Sequence, residues 1–190
     1  MKDYKMQVEA YLQQEIQVLQ NIDIEMISLA MNQLEKTRLR SGNIYICGNG
    51  GSAATASHFV CDFNKGISDT KEKKYNFVCL NDNVPIMMAI ANDINYESVF
   101  EYQIKEKITQ NDTFVGISGS GNSENVIKAA QYAKEQGATV ISITGYDGGK
   151  LREIGDVCMH VPINNMQITE DIHMIFDHVM MYVLTNGEQL

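Results

Sequence analysis

The 190-residue sequence has no tryptophan and only two prolines, and neither scarcity narrows the function. It has four cysteines, Cys47, Cys61, Cys79 and Cys158, with no C-x-x-C pair among them. Three of them lie in apolar runs that read as strands, so free thiols in a reducing compartment are expected rather than a disulfide frame. Basic residues are few: 15 Lys and Arg against 24 Asp and Glu give a net charge of −9. That balance argues against a nucleic-acid backbone or a polyanionic membrane surface as the main partner, since both need a basic face. Small anions are not excluded, because a nest of backbone N–H groups binds phosphate whatever the global charge. No run approaches the ~20 apolar residues that span a bilayer. The first residues, Met1 to Lys5, lack the apolar core of a secretory signal, so a cytoplasmic location is expected. A Walker-type nucleotide loop is missing too, because Lys150 is followed by Leu151.

What is present is an ordinary globular balance, 44% hydrophobic and 21% charged, in a length suited to one domain over residues 1–190. Residues 6–40 read as two amphipathic helices, with stripes Val8, Leu12, Ile16, Leu19 and Ile24, Ile27, Met31, Leu34, and Asp23 as a candidate N-cap between them. Beyond residue 43, short apolar runs alternate with helical segments. Strands are predicted at 43–47, 75–80, 113–118, 139–144 and 157–161. Helices are predicted at 52–63, 84–91, 97–109, 123–136, 149–154 and 168–183, the last ending near Asn186-Gly187. Residues 64–74 read as a polar, charged loop. The pattern implies an α/β fold: a doubly wound five-stranded parallel sheet with helices on both faces, preceded by N-terminal helices. Those leading helices must lay their apolar stripes on the domain's own core or on a partner subunit.

Two glycine-serine turns follow buried-type strands and open helices: Gly48-Asn49-Gly50-Gly51-Ser52-Ala53-Ala54 and Ser118-Gly119-Ser120-Gly121-Asn122-Ser123. Each puts N–H groups and small hydroxyls at a positive helix N-terminus, at the carboxyl edge of the sheet where ligands collect. Plain turn and cap chemistry is one reading. A dinucleotide site is a second, since Gly48, Gly50 and Ala53 fit G-x-G-x-x-[G/A], yet the acidic candidate Asp82 comes later than the ~20 residues expected. A phosphate monoester held by hydroxyls is the third and the preferred one, because Ser118, Ser120 and Ser123 exceed what a dinucleotide turn needs. No nucleotide cofactor is expected.

Titratable groups cluster near the turns. His58 and Asp62 are four apart on one helix face. Glu170 and His178, eight apart on the closing helix and about 80° around it, can serve one cleft. A carboxylate and an imidazole suit aldose–ketose isomerisation, which moves a proton between adjacent carbons through an enediol. His173 and Asp177, on the same helix, are read as facing solvent or a helix neighbour and receive no role.

The first turn leading to His58, Ala91-Asn92-Asp93, the run Ile117 to Ser123, and Thr144-Gly145-Tyr146-Asp147-Gly148-Gly149-Lys150-Leu151 together resemble the sugar isomerase (SIS) domain, and within it the phosphoheptose isomerase group. The resemblance covers about residues 43–183. It implies conversion of sedoheptulose 7-phosphate to a heptose 7-phosphate, and a homotetramer with active sites between subunits and the leading helices in the oligomer core. It also implies sugar or phosphate contacts at Asn49, Gly50, Gly51, Ser52, Asp93, Ser118, Gly119, Ser120 and Ser123. Family members carry Glu as base where Asp62 stands, Gln where Glu170 stands, and His at both His58 and His178; some bind zinc with those four side chains. This chain therefore has Asp62 or Glu170 as candidate base and His178 as acid–base partner. His58, Asp62, Glu170 and His178 form a candidate metal set that suits zinc without deciding whether zinc is bound. Thr is common in the family where Gly119 stands. The alternative function is a non-catalytic SIS module that binds a phosphosugar or a protein partner.

Overall fold

The computed structural model describes residues 2–186. Two helices lead, α1 (Lys5–Leu19) and α2 (Ile24–Leu39). Asp23 caps α2 as its sequence implies, accepting from the N–H groups of Glu25 (3.0 Å) and Met26 (3.3 Å). Then come β1 (Ile44–Cys47), α3 (Gly51–Cys61), β2 (Phe77–Cys79), α4 (Val84–Asp93), α5 (Glu101–Ile104), β3 (Thr113–Ser118), α6 (Glu124–Glu135), β4 (Thr139–Thr144), α7 (Gly149–Ile154), β5 (Val157–His160) and α8 (Met166–Asn186). The five strands are parallel in the order β2-β1-β3-β4-β5. Parallel strands buried on both faces need apolar residues at every position, and β1 and β3 are buried throughout.

Alternate strand residues feed two cores. Ile44, Ile46, Val115, Ile117, Ile141 and Ile143 pack under α2, α3 and α8 through Leu34, Phe59, Ile172 and Phe176. Tyr45, Cys47, Phe114 and Val140 pack under α4, α5, α6 and α7 through Ile90, Ile104, Val126 and Leu151. Each such side chain contributes about 1.5–3 kcal/mol on burial, and Phe176→Ala would cost about 3–5 kcal/mol.

Three stretches depart from the sequence expectation. The helix expected over 97–109 is a short 3₁₀ turn (Tyr96–Ser98) and a single turn of α5. Val99, Phe100, Ile104 and Ile108 do keep helical spacing and are buried, but Glu106 takes φ +60° and gives its N–H to the Tyr132 hydroxyl (3.0 Å). The loop expected at 64–74 is largely helical: a π-turn (Asp62–Gly66) and a 3₁₀ turn (Ile67–Thr70) extend α3. Phe63, Ile67 and Ser68 are buried there, and the Ser68 hydroxyl accepts from the Tyr75 N–H (2.9 Å). Helix α8 starts two residues early because the Asn165 side chain accepts from the N–H groups of Gln167 and Ile168; of the expected Asn186-Gly187 stop, Gly187 lies outside the described residues. All four cysteines are free, Cys47 and Cys79 buried and Cys61 exposed.

Helix α1 buries none of its residues. Val8, Leu12 and Ile16 remain 56%, 50% and 46% exposed. A hydrogen bond from the Tyr11 hydroxyl to Asp171 of α8 ties the helix to the domain.

Candidate functional site at the sheet edge

The strand order reverses direction between β1 and β3, so the crevice at their carboxyl ends is the switch point where ligands of such sheets bind. Both glycine-serine turns lie there. In the first, the Asn81 side chain clasps Gly48, accepting from its N–H (3.1 Å) and donating to its carbonyl (2.8 Å). The Asn49 amide pairs reciprocally with that of Asn125, both bonds at 2.9 Å, and accepts from the Tyr96 hydroxyl (2.8 Å). Gly50 holds φ +56° with no atom within 4 Å of where a Cβ would stand. Its backbone thus faces open space, and among the described residues no partner takes the N–H of Gly50 or Gly51. Ser52 is buried, and its N–H donates to the Asn49 carbonyl (3.1 Å).

The second turn is packed. The hydroxyls of Ser118 and Ser123 meet at 3.0 Å, and the Ser120 hydroxyl accepts from the Asn122 N–H (3.2 Å). Gly121 sits at φ +66°, and a Cβ there would lie 1.8 Å from the Gly148 carbonyl oxygen. The Asn122 side-chain Oδ1 accepts from the Lys150 N–H (3.3 Å), holding the turn against α7. A Cβ on Gly119 would stand 2.6 Å from the Met166 sulfur, so Met166 fills the side on which a Thr would project.

Helix α8 crosses both turns. Met166 and Thr169 lie against Gly119, Thr169 lies against Gly145, and the Glu170 carboxylate lies over Gly51 so closely that a Cβ there would be 2.5 Å from either oxygen. Farther along, α3 and α8 meet again at the histidines: His58 Nε2 and His178 Nε2 are 3.2 Å apart. The pairs Gly51–Glu170 and His58–His178 therefore align the two helices in parallel. His58 Nε2 is 3.5 Å from Asp62 Oδ2 and 3.9 Å from Asp177 Oδ2. One ligand atom from each of His58, Asp62, Asp177 and His178 lies within 4.8 Å of all the others.

Three of the four residues expected as metal ligands, His58, Asp62 and His178, are thus brought together, whereas Glu170 stands at the turns. Asp177 faces inward, not solvent. It is fully buried, neither carboxylate oxygen has a hydrogen-bond partner among the described residues, and burial, then the charge of Asp62, pushes its pKa up to about 7. His173 is also buried, stacked on Phe176, and burial pushes it down to about 4. Two imidazoles and two carboxylates, one with orphaned oxygens, form a group that could hold a divalent metal ion. Asp93 stands apart. It is exposed at the end of α4, beside a cavity of about 620 Å³ under the opposite helical layer, lined also by Leu80, Ile90, Tyr102 and Lys107.

A family model of the SIS domain matches residues 3–145. A phosphoheptose isomerase of Aliarcobacter butzleri is 38% identical over 149 residues, 78% of each chain. One from Helicobacter pylori strain P12 is 36% identical over 156 residues, covering 82% of this chain and 81% of its own. The solved phosphoheptose isomerase of Neisseria gonorrhoeae superposes with a TM-score of 0.88 at 31% identity, over 96% of this chain and 98% of that one.

This chain belongs to the phosphoheptose isomerase family of SIS-domain proteins.

Family membership fits the site described. The sheet is the SIS sheet, and both family turns stand at its switch point. Asn125, Tyr96 and Asn81, which shape the first turn, carry no motif of their own. Asn125 alone had a local signal, as a polar residue in the first turn of the helix that follows the serine turn. No helix among the described residues is long and apolar enough to cross a membrane.

Proposed function

We propose that this phosphosugar isomerase interconverts sedoheptulose 7-phosphate and a heptose 7-phosphate through an enediol. The observation that carries the reading is the seating of the Glu170 carboxylate on Gly51 of the open N–H turn, on the helix whose Met166 and Thr169 lie against Gly119 of the hydroxyl turn. Ser118, Ser120 and Ser123 anchor the phosphate, with the positive end of α6 behind them. Asn49, Gly50, Gly51 and the Ser52 backbone line the sugar's path. A seven-carbon chain with bonds of about 1.5 Å extends roughly 8 Å, so a phosphate at the second turn leaves C1 and C2 within the reach of α8.

Glu170 is the base that takes the proton from one carbon and returns it to the next; it is the candidate carboxylate seated on the first turn. Asp62 holds His58 instead. Where no ion is bound, His178 carries the proton between the two oxygens. A divalent ion in the histidine group, zinc by its nitrogen and oxygen donors, would supply Lewis-acid polarisation of a carbonyl oxygen. Asp93 contacts sugar only once subunits assemble, since in one chain it lies on the other layer. The exposed stripe of α1 supports a homotetramer, and light scattering should give four times the 21.3 kDa chain mass. Free thiols fit a cytoplasmic location.

Pure protein incubated with sedoheptulose 7-phosphate should form aldose. Glu170→Gln should lower kcat on the order of 10²–10⁴-fold, His178→Ala should lower it strongly, and Asp62→Asn should lower it less than Glu170→Gln. Full activity in Glu170→Gln would overturn the assignment of the base, and absence of turnover in the unaltered protein would overturn the substrate.

A further inference from the structure

We propose that Asn125 is a positioning residue, whose buried side-chain amide fastens the open glycine turn to the packed serine turn and so aims the Gly50 N–H at the sugar. The inference rests on reading the two turns as phosphate and sugar stations. It concerns how one station is built on the other, whichever sugar is taken.

Asn125 stands in the first turn of α6, close after Ser123, and is 3% exposed. A polar side chain buried so deeply is costly unless its donors and acceptors are met. Here the other turn meets them. Asn125 Nδ2 donates to Asn49 Oδ1 and Asn49 Nδ2 donates to Asn125 Oδ1, each at 2.9 Å, which closes a ring between the two amides. The orientation of that ring is set from α6. The backbone N–H of Val126 can only donate, and it lies 3.0 Å from Asn125 Oδ1, so the Asn125 oxygen must face it. With Asn125 so turned, its amino group faces Asn49 Oδ1, which also accepts from the Tyr96 hydroxyl (2.8 Å). Each amide oxygen thereby takes two donors, one for each lone pair.

The aim of the backbone follows from that of the side chain. The Asn49 carbonyl accepts from the Ser52 N–H (3.1 Å). In a trans peptide the C=O and N–H point opposite ways, so a carbonyl turned in toward α3 sends the Gly50 N–H outward. The glycine turn has little of its own to hold this pose. Gly50 combines φ +56° with ψ −121°, a conformation that glycine enters and leaves readily, and nothing lies within 4 Å of where its Cβ would be. Asn81 grips Gly48 and leaves Asn49 to Asn125 and Tyr96. The serine turn, by contrast, is seated on Gly148 through Gly121. Asn125 thus lends the rigidity of the packed turn to the open one. An N–H aimed in advance stabilises charge that develops on a sugar oxygen as the enediol forms, and one that must be re-aimed loses much of that benefit. The effect therefore falls on kcat and not on phosphate capture.

The test compares Asn125→Ala, Asn125→Asp and Asn49→Ala with the unaltered protein. It uses steady-state kinetics on sedoheptulose 7-phosphate, competitive inhibition by inorganic phosphate, and crystal structures. Asn125→Asp keeps the shape of the side chain and suits the dipole of α6, so it folds, yet it sets a carboxylate oxygen against Asn49 Oδ1. The expected result is a kcat lowered roughly 10–100-fold in both Asn125 variants. In Asn125→Ala, KM and the inhibition constant of inorganic phosphate should stay within about threefold of the unaltered values. In the crystal, residues 48–51 should shift by about 1 Å while residues 118–123 stay in place. A residue that acts through Asn49 adds little once the Asn49 side chain is gone. Asn49→Ala combined with either Asn125 variant should therefore keep a kcat within about threefold of Asn49→Ala alone, whereas general damage to the fold would multiply the losses. An unchanged kcat in Asn125→Asp, a rise in KM and in the phosphate constant of Asn125→Ala that matches its fall in kcat, or multiplied losses in the double variants would each overturn the proposal. A glycine turn that shifts as described, in a protein that does not turn over sedoheptulose 7-phosphate, would sink the proposed function alone. Turnover with both turns unmoved in the Asn125 variants would sink this inference alone.

Discussion

The two glycine-serine turns draw on the same residue types and are opposites in packing. Gly50 in the first has a positive φ and open space around it, while Gly121 in the second has a positive φ and a carbonyl oxygen 1.8 Å from where a Cβ would stand. The first is held from its sides, by Asn81 on Gly48 and by Asn125 and Tyr96 on Asn49, and its crest is left bare. The second is locked against Gly148 and the start of α7, with the Ser118 and Ser123 hydroxyls paired beside it. The same residue types thus serve two purposes. In one turn glycine permits approach by something outside the chain, and in the other it permits approach by the chain itself. Helix α8 lies over both and sets the Glu170 carboxylate on the first.

Breaking the packed turn should have the largest effect. Gly121→Ala combines a left-handed backbone with a collision against main chain that has no flexible end to yield. Its cost should exceed the ~4–5 kcal/mol that marks exceptional substitutions, and thermal denaturation should find the domain unfolded or its melting temperature sharply reduced. Gly51→Ala should separate activity from stability. The colliding group is the far end of the Glu170 side chain, which can swing aside. Melting should move by about 1 kcal/mol or less, while kcat falls on the order of 100-fold as the carboxylate is displaced.

A third effect concerns the helix common to both turns. His173 is buried, and its pKa falls from 6.5 to about 4, so the folded state binds its proton less readily than the unfolded chain. Its contribution to stability is complete above about 6.5 and is lost as pH falls toward 4. His173→Leu should flatten the acid side of the stability curve between those values relative to the unaltered protein. Equal slopes in the two proteins would contradict this. A smaller loss of stability than at Gly121 is expected at the open turn, where Gly50→Ala meets no neighbour and costs only the strain of φ +56° with ψ −121°, about 1–3 kcal/mol by chemical denaturation. A loss as large as that of Gly121→Ala would erase the contrast between the turns.

Much of this architecture is legible in the sequence. Strands β3 and β4 and helix α7 have the predicted bounds, because apolar-rich strand runs closed by Gly119 and Gly145, and a helix bracketed by Gly148 and Gly155, leave little choice of end. Both turns and the Asp23 cap follow from local chemistry. Tertiary contacts hide the rest. Ile104 and Ile108 keep a helical spacing although the chain leaves the helix between them, since burial and not hydrogen bonding sets that spacing. Phe63 and Ile67 turn a polar stretch into part of the core. Asp177 shares no motif with His58. Only the parallel alignment of α3 and α8, set by the sheet beneath them, brings it inward, and the same alignment carries Glu170 to the turns and away from the histidines.

The most direct test of the account is a crystal structure of Glu170→Gln with sedoheptulose 7-phosphate bound. The phosphate should lie within hydrogen-bonding distance of Ser118, Ser120 or Ser123, with C1 and C2 beside the residue 170 side chain over Gly51. A phosphate seated away from the second turn, or C1 and C2 held against Asp62 with residue 170 uninvolved, would contradict it.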